Sequence, residues 1–394
     1  MEKKLHYQYV LLQCSFYAVS ACFIGYMVPV LQKQGFNHSQ IGLFLGLRAL
    51  FSVIFQPAIA NFMEKFQAKI SFNQLIAAMV VVSMAMTGVQ LLQPAFLGMT
   101  FVFILYGVSS FSMVSFIDAM STLYFYQGKK VNYPVARGAG SLSYAISALL
   151  IGSLVEAQTI LMAQFFLFIP LLLAVLSIEK IKGIEAAHDE KEAQVSFKAL
   201  FKEYPVFKYF LLAVIFSFVG KEMSSSFLID VYRSLGGDNQ SYGIGTFLLA
   251  SSEIPAAILF TKLLDRVGIR RLMLMSFFFA FLRIFLIMLA PNLFFLNFAQ
   301  MLQMFGNGLF WAGNIQFIRT VLPAKYSVKA QAAVGVCYLG IGSGIGAPLS
   351  GVILEQTNLL TLLAVSSLLA LVGLIVLFFG SKHQAHSKVI QPIE

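Results

Sequence analysis

The chain has 394 residues, 59% of them hydrophobic and only 11% charged, with a formal net charge of +10. Apolar runs of 18 or more residues recur along its whole length, which excludes a soluble globular domain and reads as a series of spanning helices. The basic excess does not point to nucleic acid either, because Lys and Arg sit in short connections between apolar runs, where they set membrane orientation.

Twelve spans are predicted, over 7–32, 40–63, 72–92, 96–125, 137–156, 159–178, 205–233, 241–264, 270–290, 292–320, 328–354 and 358–380. Each is near or above the roughly 20 residues that cross hydrocarbon. The fold class is therefore an all-α membrane protein of twelve transmembrane helices in two pseudo-symmetric six-helix bundles. The first span follows MEKKLHYQYVLLQ without a small-residue cleavage site, so it reads as uncleaved. Cys14, Cys22 and Cys337 all lie inside spans without metal-ligand spacing, which argues against a disulfide framework and against a metal site.

The stretch SIEKIKGIEAAHDEKEAQVSFKALFKEYPVF is the one strongly charged segment. It divides the chain into an N-terminal bundle, 1–178, a linker, 179–204, and a C-terminal bundle with a short tail, 205–394. A short amphipathic helix at about 195–203, lying on the membrane face, suits the end of this linker. Lys3, Lys4, Lys65, Lys69, Lys129, Lys130, Lys262, Arg266, Arg270, Arg271, Arg319, Lys325 and Lys329 fall in alternate connections or the N-terminal tail, as do Lys382 and Lys388 in the C-terminal one. Lys33 and Arg233 stand on the other side. That asymmetry places both termini and the linker in the cytoplasm of a cell-membrane protein.

The halves carry a weak repeat. QPAIANFMEKF, from Gln56, matches IPAAILFTKLLDRVG, from Ile254, and Tyr106-Gly107 matches Phe305-Gly306 at nearly the same offset. Parallel repeats of this kind belong to a large transporter class with its substrate site near the midplane.

Ionisable residues inside spans are expensive and carry function by default. Asp118 and Arg137 flank a basic hairpin, so that the two charges fall at similar depth on consecutive helices. The same spacing fits a structural pair that clamps two helices. Arg48 can snorkel outward or face a cavity. Lys221 and Glu222 are adjacent and point about 100° apart. Glu253, before Pro255, and Arg283 are opposite charges on consecutive helices. His6, His38, His188, His383 and His386 are all expected in loops or tails, so a proton relay must use carboxylates. Gly335–Gly351 has glycines at four-residue spacing, the pattern of close helix packing rather than a phosphate loop. Trp311, with Asn307, Asn314 and Gln316 nearby, fits either stacking on a planar ligand or plain packing. No catalytic constellation is visible in the sequence, so an enzyme is not expected.

These residues resemble a known family. FSVIFQPAIANFMEKF resembles the end of the second span of lactose permease, a galactoside–proton symporter of the major facilitator superfamily. Asp118, the basic hairpin, Arg137, Gly140 and Tyr144 resemble its fourth and fifth spans, and LLDRVGIRRLMLMSFFFAFLRI and LQMFG continue the likeness in the second half. IDAM, SSEIP and FLRI are also similar to the phenylpropionate permease branch. The resemblance implies the major facilitator fold, and sugar contact by Asp118, Arg137 and the aromatic ring of Tyr144. It departs at Gln303 and Gly306, where lactose permease has a histidine and a proton-carrying glutamate.

The expected function is proton-coupled symport of a small polar solute, a sugar or glycoside first, by alternating access. Asp118, Arg137, Tyr144, Trp311 and Asn314 are the candidate substrate residues, and Glu253, Arg283 and Glu222 the candidate coupling residues. No cofactor beyond the proton gradient is expected, and the partners are the substrate and the lipid bilayer around a monomer. An aromatic acid, a nucleoside or an expelled drug are alternative cargoes, and a non-transporting sensor is an alternative role.

Overall fold

The computed structural model describes residues 2–66, 69–154, 156–181, 197–323 and 326–381. The predicted linker lies largely outside them, as do His188, His383, His386 and the C-terminal tail. The described residues form helices α1 (Glu2–Ser20), α2 (Met27–Lys33), α3 (His38–Phe66), α4 (Phe72–Leu91), α5 (Phe96–Tyr106), α6 (Ser112–Tyr126), α7 (Tyr133–Gly152), α8 (Ala157–Ser177) and α9 (Phe197–Glu203). There follow α10 (Pro205–Ser226), α11 (Leu228–Ser234), α12 (Asn239–Val267), α13 (Ile269–Met288), α14 (Leu293–Met301), α15 (Asn307–Val321), α16 (Ser327–Gly335), α17 (Gly344–Gln356) and α18 (Leu359–Gly380). Each predicted span coincides with one helix or with a broken run of helices, and α9 falls on the short helix expected at the end of the linker. Among the described residues, nine helical runs are long and apolar enough to cross a membrane, or ten when the bent pair α10–α11 counts as one.

The breaks are what the sequence reading lacked. A π turn at Ala21–Gly25 joins α1 to α2, a second at Gly107–Phe111 joins α5 to α6, and a third at Val336–Ser343 joins α16 to α17. Such insertions are common at functional sites. α10 and α11 bend by 49° at Phe227, just after the serine run in which Ser224 bonds back to the Lys221 carbonyl, a contact that bends helices. A 3₁₀ turn, Leu302–Met304, separates α14 from α15.

Two boundaries also move. α7 begins at Tyr133 rather than 137, because the Asn132 side chain caps it by accepting from the Val135 N–H at 3.3 Å and Pro134 follows at its first turn. Arg137 therefore lies one turn inside the helix. α3 begins at His38 rather than 40, because Asn37 and Gln40 exchange side-chain-to-backbone bonds of 2.9 and 3.1 Å in a capping box. His38 is thus a helical residue at the head of a membrane span, not a loop residue.

The helices gather into two compact units. The first comprises Met1–Ala186, Ser226–Ser251 and Ala347–Gln356, and the second Ala187–Ser225, Ser252–Gly346 and Thr357–Glu394. In the first, α1 packs along α7 and α8, α4 along α8, and α3 along α5. A buried hydroxyl cluster ties its helices: Gln164 donates to Thr87 and Tyr106, both at 3.1 Å, and Ser110 and Ser83 pass a chain of bonds to Ser109. Bonds of this kind are worth about 0.6 kcal/mol each in a membrane.

In the second unit, α13 packs on α18 and α15, over an aromatic core of Phe207, Phe210, Phe277, Phe310 and Phe317. Glycines set the closest approaches. A Cβ at Gly220 would collide with the Ser366 carbonyl, and one at Gly346 would stand 2.9 Å from Cβ of Glu222. Gly342 likewise faces Phe218 at 3.0 Å, so Gly342 and Gly346, four apart, form the packing surface that their spacing predicts.

Gly220→Ala is expected to cost about 1–3 kcal/mol by overpacking and to lower the melting temperature of the detergent-purified protein. Gly335→Ala, where a Cβ meets nothing within 4 Å, is expected to be neutral or stabilising. Equal melting of the two variants would refute this account of the helix contacts.

Candidate functional site

The charged residues of the first unit meet on α1, α6 and α7. Asp118 lies six residues into α6 and accepts from Gln13 Nε2 at 2.9 Å. The same amide nitrogen lies 3.0 Å from the Tyr9 hydroxyl. Gln13 is fully buried, which an amide in an apolar helix tolerates only when bonded. On α7, Tyr133 lies near enough to both the Asp118 carboxyl and the Arg137 guanidinium to feel the charge of each. A neutral phenol thus stands near both of the charges predicted as partners.

Arg137 also stacks over Tyr17, its guanidinium carbon 4.3 Å from the ring centroid. Gly140 makes this possible, because a Cβ there would stand 2.6 Å from a carbon of the Tyr17 ring. Tyr144 follows two turns after Arg137, with its hydroxyl 3.4 Å from where a Cβ on Gly25 would sit. The result is a carboxylate, a guanidinium and two phenol rings on neighbouring helix faces. This group can grip vicinal hydroxyls and stack on a ring.

The second unit holds a separate polar group. Glu253 Oε1, midway along α12, accepts from Gln303 Nε2 at 3.0 Å and from Asn307 Nδ2 at 3.1 Å. Those two amides stand on either side of the break at Gly306, which turns both onto one carboxylate. Gly306 sits at the head of α15, and its carbonyl accepts from Ser276 at 2.7 Å. Arg283 is 2% exposed and donates twice to Gln300 Oε1, at 3.2 and 2.6 Å. The Lys221 ammonium lies 5.3 Å from the Phe218 ring and feels the charges of Glu222, Glu253 and Arg283. Lys221, Arg283, Gln303 and Asn307 line one cavity of about 20 Å³, room for a single water. Asn307 Oδ1 is buried and accepts no hydrogen bond among the described residues.

The remaining candidates fall elsewhere. Glu222 packs against Gly346. Trp311 is partly exposed and meets Tyr338 edge-on, with centroids 4.7 Å apart. The Asn314 amide turns back along its own helix to the Phe310 and Trp311 carbonyls. Arg48 does not snorkel: it is 6% exposed, donates to the Phe23 carbonyl in the first π turn at 2.6 Å, and lies over Phe111. Among the described residues no cluster of three His, Cys, Asp or Glu side chains has metal-binding geometry.

Gln13, Tyr17 and Tyr133 are the site residues that the sequence reading passed over. Tyr9, Gln13 and Tyr17 recur at four-residue spacing in an otherwise apolar run, so one helix face carries all three. That stripe was a readable signal. Tyr133 was not, because its inclusion depends on where α7 begins.

Long apolar helices with charged side chains held between them define a multi-pass membrane transporter of the major facilitator fold rather than an enzyme. The chain belongs to the MFS_1 like family, whose profile matches residues 6–365. It is 24% identical over 344 residues to the uncharacterized transporter YwbF of Bacillus subtilis (strain 168), covering 84% of this chain and 82% of that one. It is 22% identical over 376 residues to the maltose permease of Geobacillus stearothermophilus, covering 94% and 92%. Among solved structures, the nucleoside transporter NupG superposes with a TM-score of 0.81 at 15% identity, covering 97% of this chain and 99% of that one. A bacterial homologue of the iron transporter ferroportin, in an inward-facing state, superposes at 0.73 and 11%, covering 97% and 99%.

The Tyr133 hydroxyl stands near two charged groups, and a hydrogen bond between a hydroxyl and a charged group is worth about 1.5–3 kcal/mol. Tyr133→Phe is therefore expected to weaken ligand binding by at least about ten-fold, and Tyr17→Leu by about three- to ten-fold through the lost cation–π contact. Arg137→Ala is expected to abolish binding. Ligand-induced stabilisation of the purified protein over a panel of sugars and nucleosides reads all three. Undiminished binding in Tyr133→Phe and Arg137→Ala would remove this cluster from the site.

Proposed function

We propose that this protein is a secondary active transporter that carries a small polar solute, a sugar or glycoside, together with a proton by alternating access. The observation that carries the reading is the group of Asp118, Tyr133, Arg137 and Tyr17. A carboxylate and a guanidinium stand near one phenol, with the guanidinium over a second aromatic face, which suits a ring bearing hydroxyls. The maltose permease relative supports a sugar. The lactose permease and phenylpropionate permease branch remains the finer assignment that the motifs around Asp118 and Arg137 favour.

Glu253 is the proton carrier in this reading. Its carboxylate is held by two neutral amides, Gln303 and Asn307, and those amides line a cavity together with Lys221 and Arg283. Protonation cancels the attraction between Glu253 and these cations, and deprotonation restores it. No cofactor takes part, and the proton gradient supplies the energy.

Glu253→Gln is expected to bind and exchange substrate but to lose accumulation driven by an inward proton gradient, because an amide resembles the protonated acid and cannot release a proton. Proteoliposome uptake with and without the gradient is the measurement. Unchanged accumulation would exclude Glu253 and turn attention to Asp118 or Glu222. Absence of any gradient effect in the unmutated protein would sink proton coupling itself.

The orientation is tested separately. With both termini and the linker in the cytoplasm, single cysteines at positions 94 and 292 are expected to react with an impermeant reagent added to intact cells, and one at position 190 to be spared. Reaction at 190 would invert the topology.

A further inference from the structure

Four elements meet at one end of the first unit: α2, the head of α3, α11 and the tail of α17. The backbones there are in direct contact. A Cβ at Gly351 would collide with the His38 carbonyl, and one at Gly42 would stand 2.5 Å from the Ala347 carbonyl oxygen. Nearby, Gly152 and Gly243 oppose each other with 3.2 Å between the Cα of each and a Cβ on the other. The Tyr26 hydroxyl caps this contact through the Ala148 carbonyl at 2.7 Å.

His38 stands in the middle of this end. Its Nε2 lies 3.5 Å from Asp230 Oδ2 and its Nδ1 lies 3.4 Å from Glu355 Oε2. Its backbone N–H also donates to Glu355 Oε2 at 3.0 Å. One imidazole therefore has a carboxylate at each ring nitrogen, on two different helices. A neutral imidazole has one N–H and must turn a lone pair toward the other carboxylate, whereas an imidazolium donates to both.

The remaining charged groups are placed to balance two carboxylates against two cations. Arg233 lies 3.4 Å from Asp230 Oδ1. Gln32 donates to both Asp230 oxygens, at 3.0 and 2.9 Å. On α2, Lys33 faces Glu156 at 3.9 Å. The Phe227 ring packs 5.3 Å from the imidazole, where it favours a cation. With His38 charged the group is neutral; with His38 uncharged it carries one excess negative charge, and one of the two carboxylates loses its ring N–H partner.

We propose that His38, Asp230 and Glu355 form a second proton-binding site, distinct from Glu253, that clasps this end of the first unit. Protonation of the imidazole closes the clasp, and its deprotonation releases it. Its meaning as a gate rests on the transport reading above, but its existence does not. In the proposed orientation this end faces outside, so the clasp senses external pH.

The test uses spin labels at Leu92 and Gln240, two exposed positions of the first unit, in the full-length protein with Cys14, Cys22 and Cys337 replaced by alanine. Pulsed dipolar spectroscopy in lipid nanodiscs is recorded between pH 5 and 8.5. A longer-distance population is expected to grow at least about three-fold as the pH rises from 5 to 8.5. His38→Gln is expected to give the same distribution at every pH. His38→Lys, which keeps the charge, is expected to hold the short distance at pH 8.5. A distribution that does not change with pH, or a pH response that survives in His38→Gln, overturns the proposal. A pH-dependent distance without substrate flux keeps the clasp and removes the transport reading, and flux without a pH-dependent distance does the reverse.

Discussion

Hydrocarbon supplies no hydrogen bonds, so every polar group in a span must find its partner inside the protein. The helices answer for the backbone. For side chains the solution recurs in both units: ionised groups are met by neutral donors or acceptors. Asp118 is held by Gln13, Glu253 by Gln303 and Asn307, and Arg283 donates to the oxygen of Gln300. A charge bonded to an amide or phenol stays available to a substrate or to a proton. A charge locked to its opposite has that interaction already spent, and separating a buried ion pair costs several kcal/mol, about 3–5.

The irregular turns follow from the same constraint. A straight span would carry Gln303 and Asn307, four apart, up one face at successive levels. The break at Gly306 brings both onto a single oxygen. The π turn at Ala21–Gly25 offers the Phe23 carbonyl to Arg48, and Gly107, in the second π turn, lets that backbone press against the Arg48 carbonyl. Deviations from regular helix thus stand where charges are, as expected when non-helical backbone is tolerated only inside protein.

Much of the architecture was legible in the sequence. Span positions followed from apolar length alone, and the close contacts at Gly342 and Gly346 from four-residue spacing. The helix breaks were not legible, because Gly107, Gly306 and Phe227 carry no local signal that separates a bend from a packed glycine or a buried aromatic. The site was half legible. Asp118, Arg137, Glu253 and Arg283 stood out as charges in apolar runs, while Gln13, Tyr17 and Tyr133 are unremarkable one at a time and acquire meaning from their neighbours. His38 was misplaced because the boundary of α3 was drawn from hydropathy, although Asn37 and Gln40 already spell a helix start.

The Asn307 amide has one further consequence. Its nitrogen is engaged by Glu253 while its oxygen is buried and accepts no bond among the described residues. An amide is amphoteric toward hydrogen: rotated by half a turn about its last bond, it offers an acceptor where it had offered a donor. A carboxylic acid at Glu253 needs such an acceptor, and a carboxylate needs such a donor. The same side chain can therefore meet either form of that carboxyl group without moving a helix.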